Sequence, residues 1–440
     1  MNNSYTRDDI AIEDAIEERA QRAAVPMWKD RELRSSYSGI REKQRGIDVP
    51  FFVLTILILT FGVVMVLSAS FARAFYTSGE PMALFTRQLI FAVSGIAIML
   101  VVSRVSVKVI SGWSIVLLIV SLILLAIVPF IGIRVNGAKR WLGVGESTLT
   151  FQPSEIAKLA IILAYAKMIT MFGNTRMATF KYGICPFAAV TGLMVIFLAL
   201  EPHISAAVII LALTAIMLFA GGVRLRWFAY VGIILVVMMG ILLLLNLNSN
   251  STKEEGQDVL QQTISGQTEN MGYAGKRISA WLNPDDNPLS SGYQIRQSLF
   301  AVGSGGMLGL GLGQSRQKLL YLPEEHNDYI FAIVCEELGF VGAMLILLLF
   351  ALLIIRGFWI AIHAKDRYSS LITIGITSLL AIQVFLNVAV VTNLIPATGI
   401  SLPFFSYGGT ALWIQLVEMG MVLSVSRKIP NEKTEQVGTV

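Results

Sequence analysis

Two long, predominantly apolar runs, Phe51 to Ala69 and Trp227 to Leu247, constrain this chain more than any other feature. Each approaches or exceeds the roughly 20 residues that a helix needs to cross a hydrocarbon core about 30 Å thick. The rest of the 440-residue sequence agrees, with 55% apolar residues, 14% charged residues and a mean hydropathy of +0.68. A soluble domain carries about 25% charged residues, so a water-solvated globule is excluded. In lipid a helix satisfies its own backbone polar groups, and the chain reads as an all-α polytopic membrane protein. The net charge of +5 gives no reason to expect a nucleic-acid partner. Cys185 and Cys335 lie inside apolar segments, match neither a metal spacing nor a disulfide framework, and read as inert packing.

Ten spans are expected, at about 49–71, 86–104, 110–130, 153–172, 183–200, 203–221, 226–247, 329–356, 369–395 and 408–427. Residues 1–48 form a polar tail with nine basic and ten acidic residues and no signal-peptide core. A second short tail covers 429–440, and the membrane domain covers 49–428. Every second junction is basic: Arg41, Lys43 and Arg45; Arg104 and Lys108; Arg176 and Lys181; Arg224 and Arg226; Arg356, Lys365 and Arg367; Arg427 and Lys428. Basic short loops stay in the cytoplasm, so both termini are expected there.

Two junctions on the opposite side stand out. Between spans three and four, Arg134, Lys139 and Arg140 precede Trp141, and so much external positive charge suggests an anionic partner outside. Between spans seven and eight, a large extracytoplasmic loop runs from about 248 to 328, far beyond ordinary connector length. Its later half, with Trp281, Leu299-Phe300-Ala301-Val302 and the glycine-rich stretch Gly303 to Gly313, reads as ordered and interfacial. The glycines lack the Gly-Lys-Ser/Thr ending of a phosphate loop, which favours close helix packing over nucleotide binding.

The densest chemistry lies at the mouth of span eight, in Tyr321-Leu-Pro-Glu-Glu-His-Asn-Asp328-Tyr, with Glu336 and Glu337 two turns further in. Acidic residues at membrane depth cost about 2.5–3.5 kcal/mol each on insertion scales, so they face a cavity or a partner. Asp328 alone reads equally as the N-cap carboxylate of span eight. Glu336 and Glu337 read as structural partners of basic or hydroxyl groups. Span four opens with Gln152-Pro-Ser-Glu155-Ile-Ala-Lys158, a Glu/Lys pair that either neutralises itself or extends the basic groove at Arg140. Glu201 and His203 form a weak metal suggestion without ligand spacing. The segment Pro396 to Thr410 holds two prolines and three glycines at membrane depth, a broken backbone tolerated only where it is buried in protein or lines a cavity.

These blocks resemble the signature motifs of the SEDS (shape, elongation, division and sporulation) family: Asn136-Gly-Ala-Lys-Arg140-Trp141, Gln152 to Lys158, Leu322 to Asp328, Glu336-Glu-Leu-Gly339, and Leu402-Pro-Phe-Phe-Ser406-Tyr-Gly-Gly409. They occur in the family's order over about residues 49–428, and Thr398 to Ser406 is most similar to the division branch. The resemblance implies ten-span bacterial peptidoglycan glycosyltransferases that polymerise lipid II beside a class B penicillin-binding protein and other divisome proteins, in the cytoplasmic membrane at the septum. It implies Asp328 as the catalytic residue. As substrate contacts for lipid II and the growing lipid-linked glycan it implies Arg140, Lys158, Trp141, Glu155, Gln297, His326, Ser406 and Gly408.

Two departures qualify the match. Pro202-His203-Ile-Ser-Ala stands where the family usually has Pro-Asp-Leu-Gly-Thr, and His326-Asn327-Asp328 where it has His-Thr-Asp. A divalent cation, Mg or Mn, is compatible with such chemistry, but no ligand set is visible. The rival readings are a lipid II flippase, a non-catalytic division scaffold, and a sporulation- or elongation-specific polymerase.

Overall fold

The computed structural model describes residues 46–135, 138–143, 150–230, 273–282 and 291–429. Eight helices in these residues are long and apolar enough to cross a membrane, and the chain is a polytopic helical membrane protein. In chain order the elements are α1 (Val49–Ser78), α2 (Ala83–Val102), α3 (Val107–Ile131), β1 (Ile133–Val135), β2 (Ala138–Gly143), β3 (Thr150–Phe151), α4 (Pro153–Met177), α5 (Phe180–Gly183), α6 (Cys185–Leu200), α7 (Ile204–Ala220), α8 (Tyr273–Leu282), α9 (Ser291–Ser304), α10 (Ile330–Ile362), α11 (Arg367–Val391) and α12 (Gly409–Ser426). The sixth expected span is the shorter apolar helix α7, 17 residues long. The seventh lies outside the described residues beyond Tyr230, as do most of the first tail, the early half of the long loop and the second tail.

Sequence chemistry sets the helix ends. Asp48 caps α1 by accepting from the Phe51 N–H at 3.0 Å, with Pro50 in the first turn. Gly79, with φ of 71°, stops α1 in a left-handed turn seven residues past the expected end, so Arg73 rides on the helix itself. At 1.5 Å per residue the 30 residues of α1 span about 45 Å, enough to carry Arg73 beyond the apolar core.

Helices α4, α11 and α12 are the most buried and form the centre, while α2, α3 and α10 expose most of their surface. One end of the bundle is tied by Asp48, whose carboxylate takes two hydrogen bonds from Arg356 of α10 at 2.7 and 3.0 Å. The Asp48 N–H also donates to Ser426 of α12 at 3.1 Å, so the described chain starts and finishes at the same end. At the other end lies a three-stranded antiparallel sheet, β1-β2-β3, a small exception to the all-helical expectation. Its register pairs Arg134 with Lys139 and Leu142 with Phe151. Lys139 donates to Pro129 and Phe130 carbonyls at 3.2 and 3.4 Å, capping α3 and spending one of the unexpected basic residues on structure.

Helix α10 is broken at Gly339, whose φ of 70° and ψ of −173° take it out of the helix. The glycine-rich stretch repairs the break. Leu310 and Gly311 N–H groups donate to Glu336 and Glu337 carbonyls at 3.0 Å, while Phe340 and Val341 N–H groups donate to Gly306 and Met307 carbonyls at 2.9 and 3.1 Å. A Cβ on Gly305 would sit 2.0 Å from the Cys335 carbonyl oxygen, so the packing expected of these glycines is an approach of backbone to backbone. The Glu336 and Glu337 side chains hold the same junction. Glu337 takes hydrogen bonds from Ser68 and Lys318 at 2.7 Å, and Glu336 accepts from the Ser315 hydroxyl and, at 3.0 Å, from the Arg316 N–H.

Candidate active site

Asp328 lies at the sheet end, two residues ahead of α10, and its side chain does not cap that helix. The segment beneath it is fixed through its backbone. The His326 carbonyl accepts from the Tyr407 N–H at 2.9 Å, the Asn327 carbonyl from the Ser406 hydroxyl at 2.9 Å, and the Asp328 carbonyl from the Asn387 side chain of α11 at 2.8 Å. Asn387 also donates to Ile400 at 2.7 Å, and Ser406 Oγ accepts from the Leu402 N–H at 2.7 Å. Three consecutive carbonyls are thus spent on the broken loop and α11, leaving the Asp328 carboxylate to face the loop at Gly399. That residue has φ of 74°, and a Cβ there would lie 3.1 Å from Asp328 Oδ2.

Charged groups surround this carboxylate. Burial and the neighbouring Glu324 push it up to about 6, against the opposing pull of Arg277, Arg140 and His326. Next to it, Glu325 is fully buried and gripped by Arg73 of α1 through two 2.7 Å hydrogen bonds, with His326 Nδ1 at 3.7 Å. Burial pushes the Glu325 carboxyl up, but His326 and Arg73 outweigh it and hold the group below the usual carboxylate range.

Arg140 on β2 donates to the Pro202 carbonyl in the turn between α6 and α7, close enough to Asp328 to act on it electrostatically. The same turn carries Glu201, which burial raises to about 8 against the pull of Arg140, and His203, which burial and the charges of Arg140 and Lys158 lower to about 3. His203 Nε2 lies 3.4 Å from Gln152 Nε2. A neutral histidine therefore occupies the place of the family's aspartate. Lys158 is buried and paired to Glu155 at 2.8 Å, so the pair neutralises itself, with Glu418 of α12 within electrostatic range of both.

Of the residues singled out in the sequence, Asp328 and His326 share one segment, which the Ser406 hydroxyl fastens at the Asn327 carbonyl between them. Gly408 joins them through Gln88 of α2, which accepts from the Gly408 N–H at 3.3 Å and donates to the Ser406 carbonyl at 3.4 Å. Arg140, Lys158 and Glu155 form a neighbouring group, and Trp141 sits in β2 opposite Ile133. Gln297, half-buried on α9, makes no hydrogen bond to any of them among the described residues. No group of three or more His, Cys, Asp or Glu side chains is placed to hold a metal ion among the described residues, and Glu201 and His203 attract no third ligand there.

Sequence reasoning missed Arg277. It sits on α8, donates to the Ala397 carbonyl of the broken loop, and acts on Asp328. Four residues on, Trp281 donates to the Asn393 carbonyl at 3.0 Å, so an Arg and a Trp one turn apart dock the same helix face, a spacing visible in the sequence.

Comparison with known proteins agrees with the motifs. Residues 49–431 match the family model of FtsW, RodA and SpoVE, described as cell cycle protein. Stage V sporulation protein E of Bacillus subtilis is 39% identical over 88% of this chain and 98% of its own length. A probable peptidoglycan glycosyltransferase FtsW of Trichlorobacter lovleyi is 38% identical over 86% of this chain and 93% of its own. Among solved structures, one of a peptidoglycan synthase complex, concerned with coordination of polymerization and crosslinking, aligns with a TM-score of 0.65 at 27% identity over 88% of this chain and 99% of that one. The rod shape determining protein RodA of Thermus thermophilus aligns at 0.59 and 26% identity, covering 88% of this chain and 98% of that one. The chain belongs to the SEDS family, the cell cycle proteins of the FtsW, RodA and SpoVE type.

Proposed function

We propose that this protein is an inverting peptidoglycan glycosyltransferase that polymerises lipid II on the outer face of the bacterial cytoplasmic membrane, for septal synthesis in cell division. The observation that carries the reading is a carboxylate with its backbone immobilised and its side chain aimed at a broken membrane loop, at the end of the bundle that also holds Arg140. Asp328 takes the proton from the 4-hydroxyl of the acceptor GlcNAc as that oxygen attacks the anomeric carbon of the donor MurNAc. Undecaprenyl pyrophosphate departs from the opposite face, which inverts the α-linkage of the lipid to the β-linkage of the glycan. Arg140 stabilises the charge that grows on the leaving pyrophosphate.

The membrane domain of 49–428 works with ten spans, both termini in the cytoplasm and the loop at 248–328 outside. Its partner is a class B penicillin-binding protein, as suits a relative of a synthase complex that couples polymerization to crosslinking. A sporulation role is the second reading, favoured by the 39% identity to stage V sporulation protein E. The test is purified protein given fluorescent lipid II, with and without the partner, and scored for glycan ladders. Wild type forms ladders and Asp328→Asn forms none, because the amide keeps the shape without the basicity. Ladders from Asp328→Asn at the wild-type rate would reject the assignment.

A further inference from the structure

We propose that Arg277 is a positioning residue for the base: helix α8 delivers its guanidinium to the loop that cradles the Asp328 carboxylate, so that docking of α8 readies Asp328 to accept a proton. The inference rests on the polymerase reading above. Arg277 bonds that loop at the Ala397 carbonyl, and the Asp328 carboxylate lies against it at Gly399. Two residues of chain span at most about 7 Å, so one short stretch of backbone holds the cation and the carboxylate together. Trp281 supplies the second anchor through the Asn393 carbonyl, 3.0 Å from its ring nitrogen. The two anchors grip both ends of the segment that connects α11 to the loop.

The groups acting on Asp328 come from four directions. Its own segment brings Glu324, His326 and Tyr329; the sheet brings Arg140; α8 brings Arg277; and α11 and the loop bring the uncharged Asn387 and Gly399. Glu324 opposes ionisation while the two arginines and His326 favour it. Arg140 is carried by β2 and fastened to the turn between α6 and α7, whereas Arg277 is carried by a short helix of the long loop. Of the two arginines, only Arg277 ties the base to a helix of the long loop. A change in the docking of α8 would reach the base through Arg277 and the loop that it holds with Trp281.

The experiment measures lipid II polymerisation by the full-length protein between pH 5 and pH 9 for wild type, Arg277→Gln, Arg277→Lys and Trp281→Phe. Arg277→Gln is expected to move the midpoint of the acid limb up by about one pH unit, the low end of the effect of a nearby opposite charge. Its activity at pH 5.5 then falls about tenfold while the alkaline plateau stays within about threefold of wild type. Arg277→Lys keeps the charge and should hold the midpoint near the wild-type value. Trp281→Phe removes one anchor and should shift the midpoint in the same direction by less.

A lower plateau with an unmoved midpoint in Arg277→Gln would make the residue merely structural and overturn the proposal. An Arg277→Lys midpoint displaced as far as that of Arg277→Gln would overturn it too. Should Arg277→Gln fail to fold, an unmoved midpoint in Trp281→Phe is enough to refute the docking link. Failure of the polymerase reading shows separately, as ladders from Asp328→Asn at every pH.

Discussion

Arg73→Met should be among the more damaging single changes at the sheet end of this protein, and more damaging than Glu325→Gln although both break the same pair. The Glu325 side chain is 0% exposed and that of Arg73 is 29% exposed. Removing the arginine strands a carboxylate away from water, with only His326 at 3.7 Å to answer it. Removing the carboxylate strands a guanidinium that water already reaches. Loss of one partner from a buried pair costs about 3–5 kcal/mol. Solvent on the arginine side discounts this to about 2–3 kcal/mol for Arg73→Met and to about 1 kcal/mol for Glu325→Gln. At about 2–4 °C per kcal/mol, the first variant should unfold roughly 4–12 °C below wild type.

The assay is thermal unfolding of the purified protein in detergent. The double variant Arg73→Met/Glu325→Gln should recover much of the loss, since no buried charge is left alone. The sign with pH follows from the Glu325 carboxyl, which is held below its ordinary value. Its stabilisation is complete above the unfolded carboxylate value of about 4.3 and is lost as pH falls through the folded value. The gap between wild type and Arg73→Met should therefore be full at pH 7 and close in acid below about pH 4. Equal unfolding temperatures for the two at pH 7, or a double variant less stable than Arg73→Met, would refute the reasoning.

The polymerisation rate should fall as pH drops through about 6, because only the ionised Asp328 accepts a proton, and a pH–rate profile checks it. Arg140→Ala should lower lipid II turnover strongly and Arg140→Lys should rescue it in part, since lysine lacks the planar fork that grips phosphate oxygens in pairs; normal turnover with a lowered unfolding temperature would make the residue structural. Gly339→Ala should sharply reduce the folded yield in size-exclusion chromatography, because its Cβ would meet the Gly309 nitrogen at 2.2 Å in a conformation that itself costs about 1–3 kcal/mol.

The sequence disclosed what local chemistry determines and concealed what distant segments supply. Apolar runs and basic junctions mark the helices, and the prolines and glycines of 396–410 mark the broken loop, because each signal is contained in a few neighbouring residues. Asp328 was legible for the same reason. The Arg73–Glu325 pair was not, since its members are 252 residues apart and one sequence gives no reason to join them. Lys139 looked like part of an external anion site, yet its amine serves the end of α3, a use visible only once the sheet folds back over that helix. The sheet escaped notice because strands of two to six residues leave no usable alternation. The α1 overrun arose from a glycine stop at 79 that hydropathy does not register.

The stitched break in α10 has a consequence for how this stretch of sequence can vary. Recognition there runs from main chain to main chain, so what matters at Gly305, Gly309 and Gly339 is the absence of a side chain, and even alanine is a large change. Between them the side chains point away from the seam, with Met307 64% and Leu308 81% exposed, and Leu312 beyond them 56% exposed. A saturation scan of 303–313 should therefore admit only glycine at 305 and 309 and almost any apolar residue at 307, 308 and 312. At Gly305 and Gly309 the sequence would then record two backbones that leave each other no room.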